Sequence, residues 1–265
     1  MKIYKLAFQI GGITTLIESK DSSFMFLLKK KYGDFLIKDD SKPYTRLVFS
    51  KRDFPTSRRR ISIKRNNACF LIKGELFQGV FYPRKGFTQV VLDYEDSVIS
   101  TFLRVFYSLL LAFNKGVLVH SLGVVKNNRG FLFIGPSSSG KTTAAKRLKD
   151  VLILSDELTC ARMIDNKFYL FPTPFGQIRS FPLPNKGFLL HRLFFLDKKT
   201  GGYIREDRFN TFLKVLKSIF FLCEERVLVQ KIVTLSKSMV YNFSAYRVNI
   251  LTDKEPFKDI DNGYF

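Results

Sequence analysis

Eight consecutive residues of this 265-residue chain have the types and spacing to hold phosphate: Gly135-Pro136-Ser137-Ser138-Ser139-Gly140-Lys141-Thr142. They fit G-x-x-x-x-G-K-[ST] in full. Small residues let the backbone curl so that successive N–H groups converge on one concavity, a nest for an anion. A helix starting behind such a loop adds its positive end. Lys141 brings a full charge to the β- and γ-phosphates, and the Thr142 hydroxyl is a hard oxygen ligand for Mg²⁺. With Thr143 directly after it, the stretch is the candidate nucleotide-binding segment, and the cofactors it implies are ATP and Mg²⁺.

A second element follows 15 positions after Lys141, where Val151-Leu152-Ile153-Leu154-Ser155 ends in Asp156-Glu157. An apolar strand that delivers an acid at its tip can supply a further metal ligand or a proton acceptor. Asp156 is therefore a candidate metal ligand beside Thr142, and Asp156 or Glu157 a candidate base. His120 lies inside Val117-Leu118-Val119-His120-Ser121-Leu122-Gly123-Val124-Val125; by spacing alone a single histidine in such a strand reads as a core residue. His191 has no motif around it.

The elements that must position these groups are legible in the periodicities. Phe131–Ile134 leads into the glycine loop as a strand, and a helix is expected behind the loop to about Leu148. Val117–Val125 and Phe131–Ile134 should form a hairpin, because Asn127, Asn128 and Gly130 suit its turn. Val151–Leu154 reads as a buried strand, and Leu158–Ile164 with Phe168–Phe171 as a second hairpin. Residues 172–187 hold four prolines and read as loop. Leu193–Leu196 reads as another strand, Phe209–Cys223 and Glu225 to about Ser238 as helices, and Val240–Phe243 as a last strand.

The apolar residues from Asp96 to Phe113 recur with helical spacing and mark a boundary. Before it, residues 1–95 read as short strands at Leu6–Phe8, Phe24–Leu28, Phe35–Ile37, Arg46–Phe49, Ala68–Ile72 and Gly79–Tyr82. The expected organisation is a β-rich N-terminal part, 1–95, and a nucleotide-binding part, 96–265. The fold class is α/β (α+β), with a mixed sheet in the second part.

Composition narrows the partners. The chain is 46% apolar and 25% charged with 29 Phe, which excludes intrinsic disorder. The net charge of +21 divides into +10 over residues 1–95 and +11 over 96–265, a diffuse field that attracts polyanions without specifying one. Its densest stretch, Lys51 to Arg65, reads first as a solvated loop and second as a docking strip. Three distant cysteines, without a CxxC pair, indicate neither zinc nor a disulfide framework. No signal-peptide core is legible, and the apolar runs fall short of the roughly 20 residues that span a bilayer. The expectation is a cytoplasmic protein without a membrane partner.

The order of a histidine in a strand, a hairpin, G-x-x-x-x-G-K-T, a helix and a strand ending Ser155-Asp156-Glu157 resembles the C-terminal kinase domain of HPr kinase/phosphorylase and its shorter relatives, the HPr-kinase-like serine kinases. The resemblance covers about residues 115–197. It implies a nucleotide site similar to that of phosphoenolpyruvate carboxykinase, with Gly135 to Thr142 on ATP and Thr142 helping to hold Mg²⁺. It also implies that Asp156 or Glu157 accepts the proton of the attacking hydroxyl, with His120 beside that acid. Family members carry two aspartates at the strand tip, where this chain has Asp156 and Glu157. The family's E-I-R-G segment, whose Glu is a metal ligand, corresponds here to Thr173-Pro174-Phe175-Gly176-Gln177-Ile178-Arg179, which contains no acid. That departure speaks against phosphorylase activity and against HPr as the substrate. The resemblance allows a homo-oligomer, for which no residue of the chain speaks.

The reading is an ATP-dependent kinase that transfers the γ-phosphoryl group to a serine or other hydroxyl of a protein or peptide. A P-loop nucleotide-binding protein or NTPase without kinase activity, associated with nucleic acid through the basic strip, is the alternative. A third reading is a family member that binds nucleotide as a scaffold. Nucleic acid is the less favoured partner, because no base-stacking aromatic motif accompanies the strip.

Overall fold

The computed structural model describes residues 2–38, 43–54, 60–136, 139–199 and 201–249. Its contacts divide the chain into two compact units: Met1–Leu118 with Pro184–Gly187 and Phe220–Ile232, and Val119–Leu183 with Phe188–Ile219 and Val233–Phe265. The helix expected to open the second part is thus grouped with the first. Both units carry mixed sheets, and the architecture is mixed α/β.

The first unit holds strands β1 (Tyr4–Ile10), β2 (Ile13–Ser19), β3 (Thr45–Lys51), β4 (Ser62–Asn66), β5 (Cys69–Lys73), β6 (Phe77–Tyr82) and β7 (Phe87–Leu92) in one sheet, ordered β1-β2-β3-β7-β6-β5-β4. Phe24–Leu28, expected as a strand, belongs instead to helix α1 (Ser22–Tyr32). The Asp21 carboxylate caps it by accepting from the Phe24 N–H at 3.0 Å. Phe24, Met25, Leu28 and Tyr32 are buried on one face, and Lys29, Lys30 and Lys31 sit at its negative end. A dense apolar run fits either period, and the cap and this spacing decide for the helix. Gly33–Phe35 is a short 3-10 turn, and Leu36 makes a single bridge to Phe8, so no strand forms at Phe35–Ile37.

Helix α2 (Asp96–Phe113) spans the residues its spacing predicts. Phe102 is fully buried and meets Phe49 and Phe77 edge-on, each at 5.7 Å; Phe106 meets Phe81 at 5.5 Å. Among the described residues, this 18-residue helix is the one long and apolar enough to cross a bilayer, a candidate that counting uninterrupted apolar runs passes over because Arg104 lies within it. It is 67% buried inside the protein, as the core helix of a folded unit is.

The nine-stranded sheet contains β8 (Gly116–Lys126), β9 (Arg129–Ile134), β10 (Leu152–Ser155), β11 (Leu158–Ile164), β12 (Lys167–Phe171), β13 (Phe188–Leu196), β14 (Ile204–Arg205), β15 (Ile219–Phe220) and β16 (Ala245–Val248). Strands β8 and β9 form the predicted hairpin, with Asn127 and Asn128 at φ 51° and 59°. Strands β11 and β12 form the second, with Asp165 and Asn166 at φ 47° and 60°. Strand β9 also runs parallel to β13, and β13 parallel to β16. Helix α3 (Lys141–Arg147) follows the glycine loop, and its Ala144 and Ala145 enter a core with Phe131, Phe133, Phe194, Leu196 and Val248.

Near the C-terminus two expectations change. Helix α4 (Arg208–Ser218) stops before Ile219, so the face predicted to continue to Cys223 is cut by β15. Helix α5 (Arg226–Asn242) runs through Val240, and the last strand is β16 instead of Val240–Phe243. The three cysteines are free and buried, and burial pushes the Cys160 thiol up to about 12.

Candidate phosphate-binding site

The glycine loop begins where β9 ends. Gly135 is packed too closely for a side chain: a Cβ there would lie 2.5 Å from Ser139 Oγ and 3.1 Å from Leu196 Cβ. Gly140 caps α3 at φ 97°, a backbone region that an L side chain rarely enters. The Ala144 N–H donates to the Gly140 carbonyl at 2.7 Å and closes the first helical turn. Ser137 and Ser138 lie outside the described residues. Among the described residues, the buried Ser139 Oγ has no hydrogen-bond partner.

Lys141 is 7% exposed. Its ammonium donates to the carbonyls of Gly135 at 2.7 Å and Pro136 at 2.9 Å, so the charge is held over the loop. Burial lowers the pKa of Lys141, and the charges of Asp156 and Glu157 partly offset this. Thr142 and Thr143 are exposed at the start of α3.

Strand β10 delivers Asp156 to this loop. The Thr142 hydroxyl donates to Asp156 Oδ2 at 3.1 Å, joining residues from two motifs that the sequence presents separately. Asp156 Oδ1 accepts from the Gln177 N–H at 2.9 Å and the Ile178 N–H at 3.0 Å. The strand end is held by the buried Ser155, whose Oγ accepts from the N–H groups of Glu157 and Leu158, each at 3.3 Å. Glu157 meets β8 through its backbone: its carbonyl accepts from the Ser121 N–H at 3.0 Å, one residue from His120. Lys141, Thr142 and Asp156 thus form one constellation, with Glu157 and the His120 strand adjoining it in the backbone. His191 is elsewhere, at a bulge of β13 between Leu190 and Arg192, and edge-on to Phe131 at 5.6 Å. Burial, then Arg192 and Arg129, hold its pKa below the ordinary value.

The residues whose part sequence reasoning missed lie in the proline-rich loop. Gly176 faces the acid so closely that a Cβ would lie 2.7 Å from both Asp156 Oδ1 and Ser155 Oγ. Ser180 ties the loop to β10: its Oγ accepts from the Ile153 N–H at 2.8 Å, and its own N–H donates to the Ile153 carbonyl at 2.9 Å. The signal available was a glycine between prolines; which strand end it would meet is a long-range fact.

The donor set suits Mg²⁺. Two hard oxygens, Thr142 Oγ1 and Asp156 Oδ2, lie within reach of one small ion, and Mg²⁺ typically takes one or two protein oxygens and completes its shell with phosphate and water. Among the described residues no group of three or more His, Cys, Asp or Glu could hold a metal by itself.

No family model matches the chain, and no curated protein matches it. Among solved structures, it is similar to the HPr(Ser) kinase/phosphatase from Coxiella burnetii, at 13% identity and a TM-score of 0.33, over 56% of this chain and 95% of that one. A score of that size describes a loose likeness of fold, and the chemistry of this chain rests on its own residues.

Proposed function

We propose that the protein is an ATP-dependent kinase that transfers the γ-phosphoryl group to a hydroxyl of a protein or peptide. The contact of Thr142 Oγ1 with Asp156 Oδ2 carries this reading, because it joins a phosphate loop to a strand-end acid. The loop from Gly135 to Thr143 receives the phosphates. Lys141 exchanges the Gly135 and Pro136 carbonyls for β- and γ-phosphate oxygens, a stronger, charge-assisted partner. Thr142 and Asp156 hold Mg²⁺, which when bound neutralises charge on the phosphate oxygens.

The two acids have different parts. Asp156 Oδ1 is engaged by two backbone N–H groups and Oδ2 by Thr142, which suits a fixed ligand. Proton acceptance falls to Glu157, with His120 supporting it from β8. The acceptor O–H gives its proton to Glu157, a new bond forms from that oxygen to the γ-phosphorus, and the bond from phosphorus to the β,γ-bridging oxygen breaks to release ADP. Positioning and charge neutralisation supply most of the rate in such transfers.

The test is incubation with γ-labelled ATP and Mg²⁺ in a lysate of the source cells. Label on a protein or peptide, abolished by Lys141→Ala and reduced at least a hundredfold by Glu157→Gln, is the expected result; general-base catalysis contributes about 10²–10⁴-fold. Saturable ATP binding with no labelled macromolecule would contradict a kinase and favour a nucleotide-holding scaffold, consistent with the acid-free Thr173–Arg179 segment. Hydrolysis stimulated by DNA or RNA would favour a nucleic-acid-dependent NTPase.

A further inference from the structure

We infer that Gly176-Gln177-Ile178 is a backbone clamp that fixes Asp156 and presents it to the metal through one oxygen, with Gly176 as its positioning residue; this rests on the metal-holding role proposed above for Asp156. Three observations converge. The N–H groups of Gln177 and Ile178 both end on Oδ1, at 2.9 and 3.0 Å, so that oxygen is turned away from Thr142. Gly176 leaves no room for a Cβ, which would lie 2.7 Å from Oδ1 and from Ser155 Oγ. The reciprocal bonds between Ser180 and Ile153 secure the loop to the strand that carries the acid.

The clamp acts through the main chain. The Gln177 side chain is exposed, and the segment contains no acid. It thus orients a metal ligand without supplying one, in the way that outer-shell hydrogen bonds fix ligand orientation. A carboxylate held by one oxygen cannot chelate, and beyond Asp156 Oδ2 and Thr142 Oγ1 the ligands of the ion must come from phosphate and water. Metal binding then depends on nucleotide, and its strength depends on how well Oδ2 is aimed.

The measurement is ADP affinity by calorimetry, with Mg²⁺ and with EDTA, for the full chain and for Gly176→Ala, Gln177→Ala and Asp156→Asn, each checked for its thermal midpoint. In the unsubstituted protein Mg²⁺ should tighten ADP binding, and Mg²⁺ without nucleotide should give no saturable heat. Gly176→Ala should lose about tenfold of the Mg²⁺-dependent gain, the low end for outer-shell changes, with ADP affinity in EDTA unchanged. Gln177→Ala should keep the full gain, because it keeps the N–H. A folded Gly176→Ala with the full gain overturns the clamp while leaving the Asp156 reading intact. A full gain in Asp156→Asn overturns the metal-holding role, and the clamp with it. Should Gly176→Ala fail to fold, Ser180→Ala, which loosens the same loop, should show a smaller loss, and an undiminished gain there overturns the clamp.

Discussion

At the scale of single residues, the site is a matter of which atoms already have partners. Asp156 is fixed from three directions, while Lys141 is a cation held by two carbonyls that carry no net charge. Its pH behaviour follows. Burial lowers the Lys141 pKa below 10.5, and Asp156 and Glu157 oppose the shift without cancelling it. Below the folded-state pKa the protein bears the full cost of burying the ammonium, and stability recovers as pH rises through the window up to the unfolded-state value. Phosphate binding in the proposed site would run the opposite way, because it requires the charge. Nucleotide affinity should therefore fall as pH rises toward 10.5, and Lys141→Arg, charged throughout, should not show that decline. Titrations at stepped alkaline pH check this; an identical decline in both proteins would remove Lys141 from the phosphate site.

At the scale of elements, helices and strands were legible where one period dominated. Asp96–Phe113 repeats its apolar residues at helical spacing without interruption, and the structure gives the same bounds. The Asn127-Asn128 turn was legible because its residues accept positive φ, and the structure puts Asp165 and Asn166 of the second hairpin in the same region. Phe24–Leu28 was not, since a short apolar run suits a strand or a helix equally, and the cap at Asp21 settled it. The glycine loop and the strand-end acid stand out in the sequence because backbone curl and charge need particular types at fixed spacing, and the structure brings Thr142 and Asp156 together. The Gly176 loop was not, because its task depends on lying against a strand end twenty residues earlier. Helix α2 offers the stability test at this scale. Phe102→Ala removes a fully buried ring that meets Phe49, Phe77 and Phe106, and should cost about 3–5 kcal/mol. Urea unfolding followed by circular dichroism measures it; a loss below about 1 kcal/mol would mean that the helix is not the core element described.

At the scale of the whole molecule, a net charge of +21, with +10 over residues 1–95 and +11 over residues 96–265, is a background field. It favours the approach of ATP and of acidic surfaces alike, and salt should weaken both. In the proposed function, specificity for phosphate rests instead on one loop, one lysine and one strand-end acid. The measurement that tests this most directly is calorimetric titration of ADP with Mg²⁺ into the full chain and into Lys141→Ala at matched ionic strength. One saturable site per chain is expected, with a loss of about ten- to a hundredfold in affinity on substitution, as for removing one or two charge-assisted hydrogen bonds. Absence of a saturable site, or equal affinity in the two proteins, would contradict the proposed site.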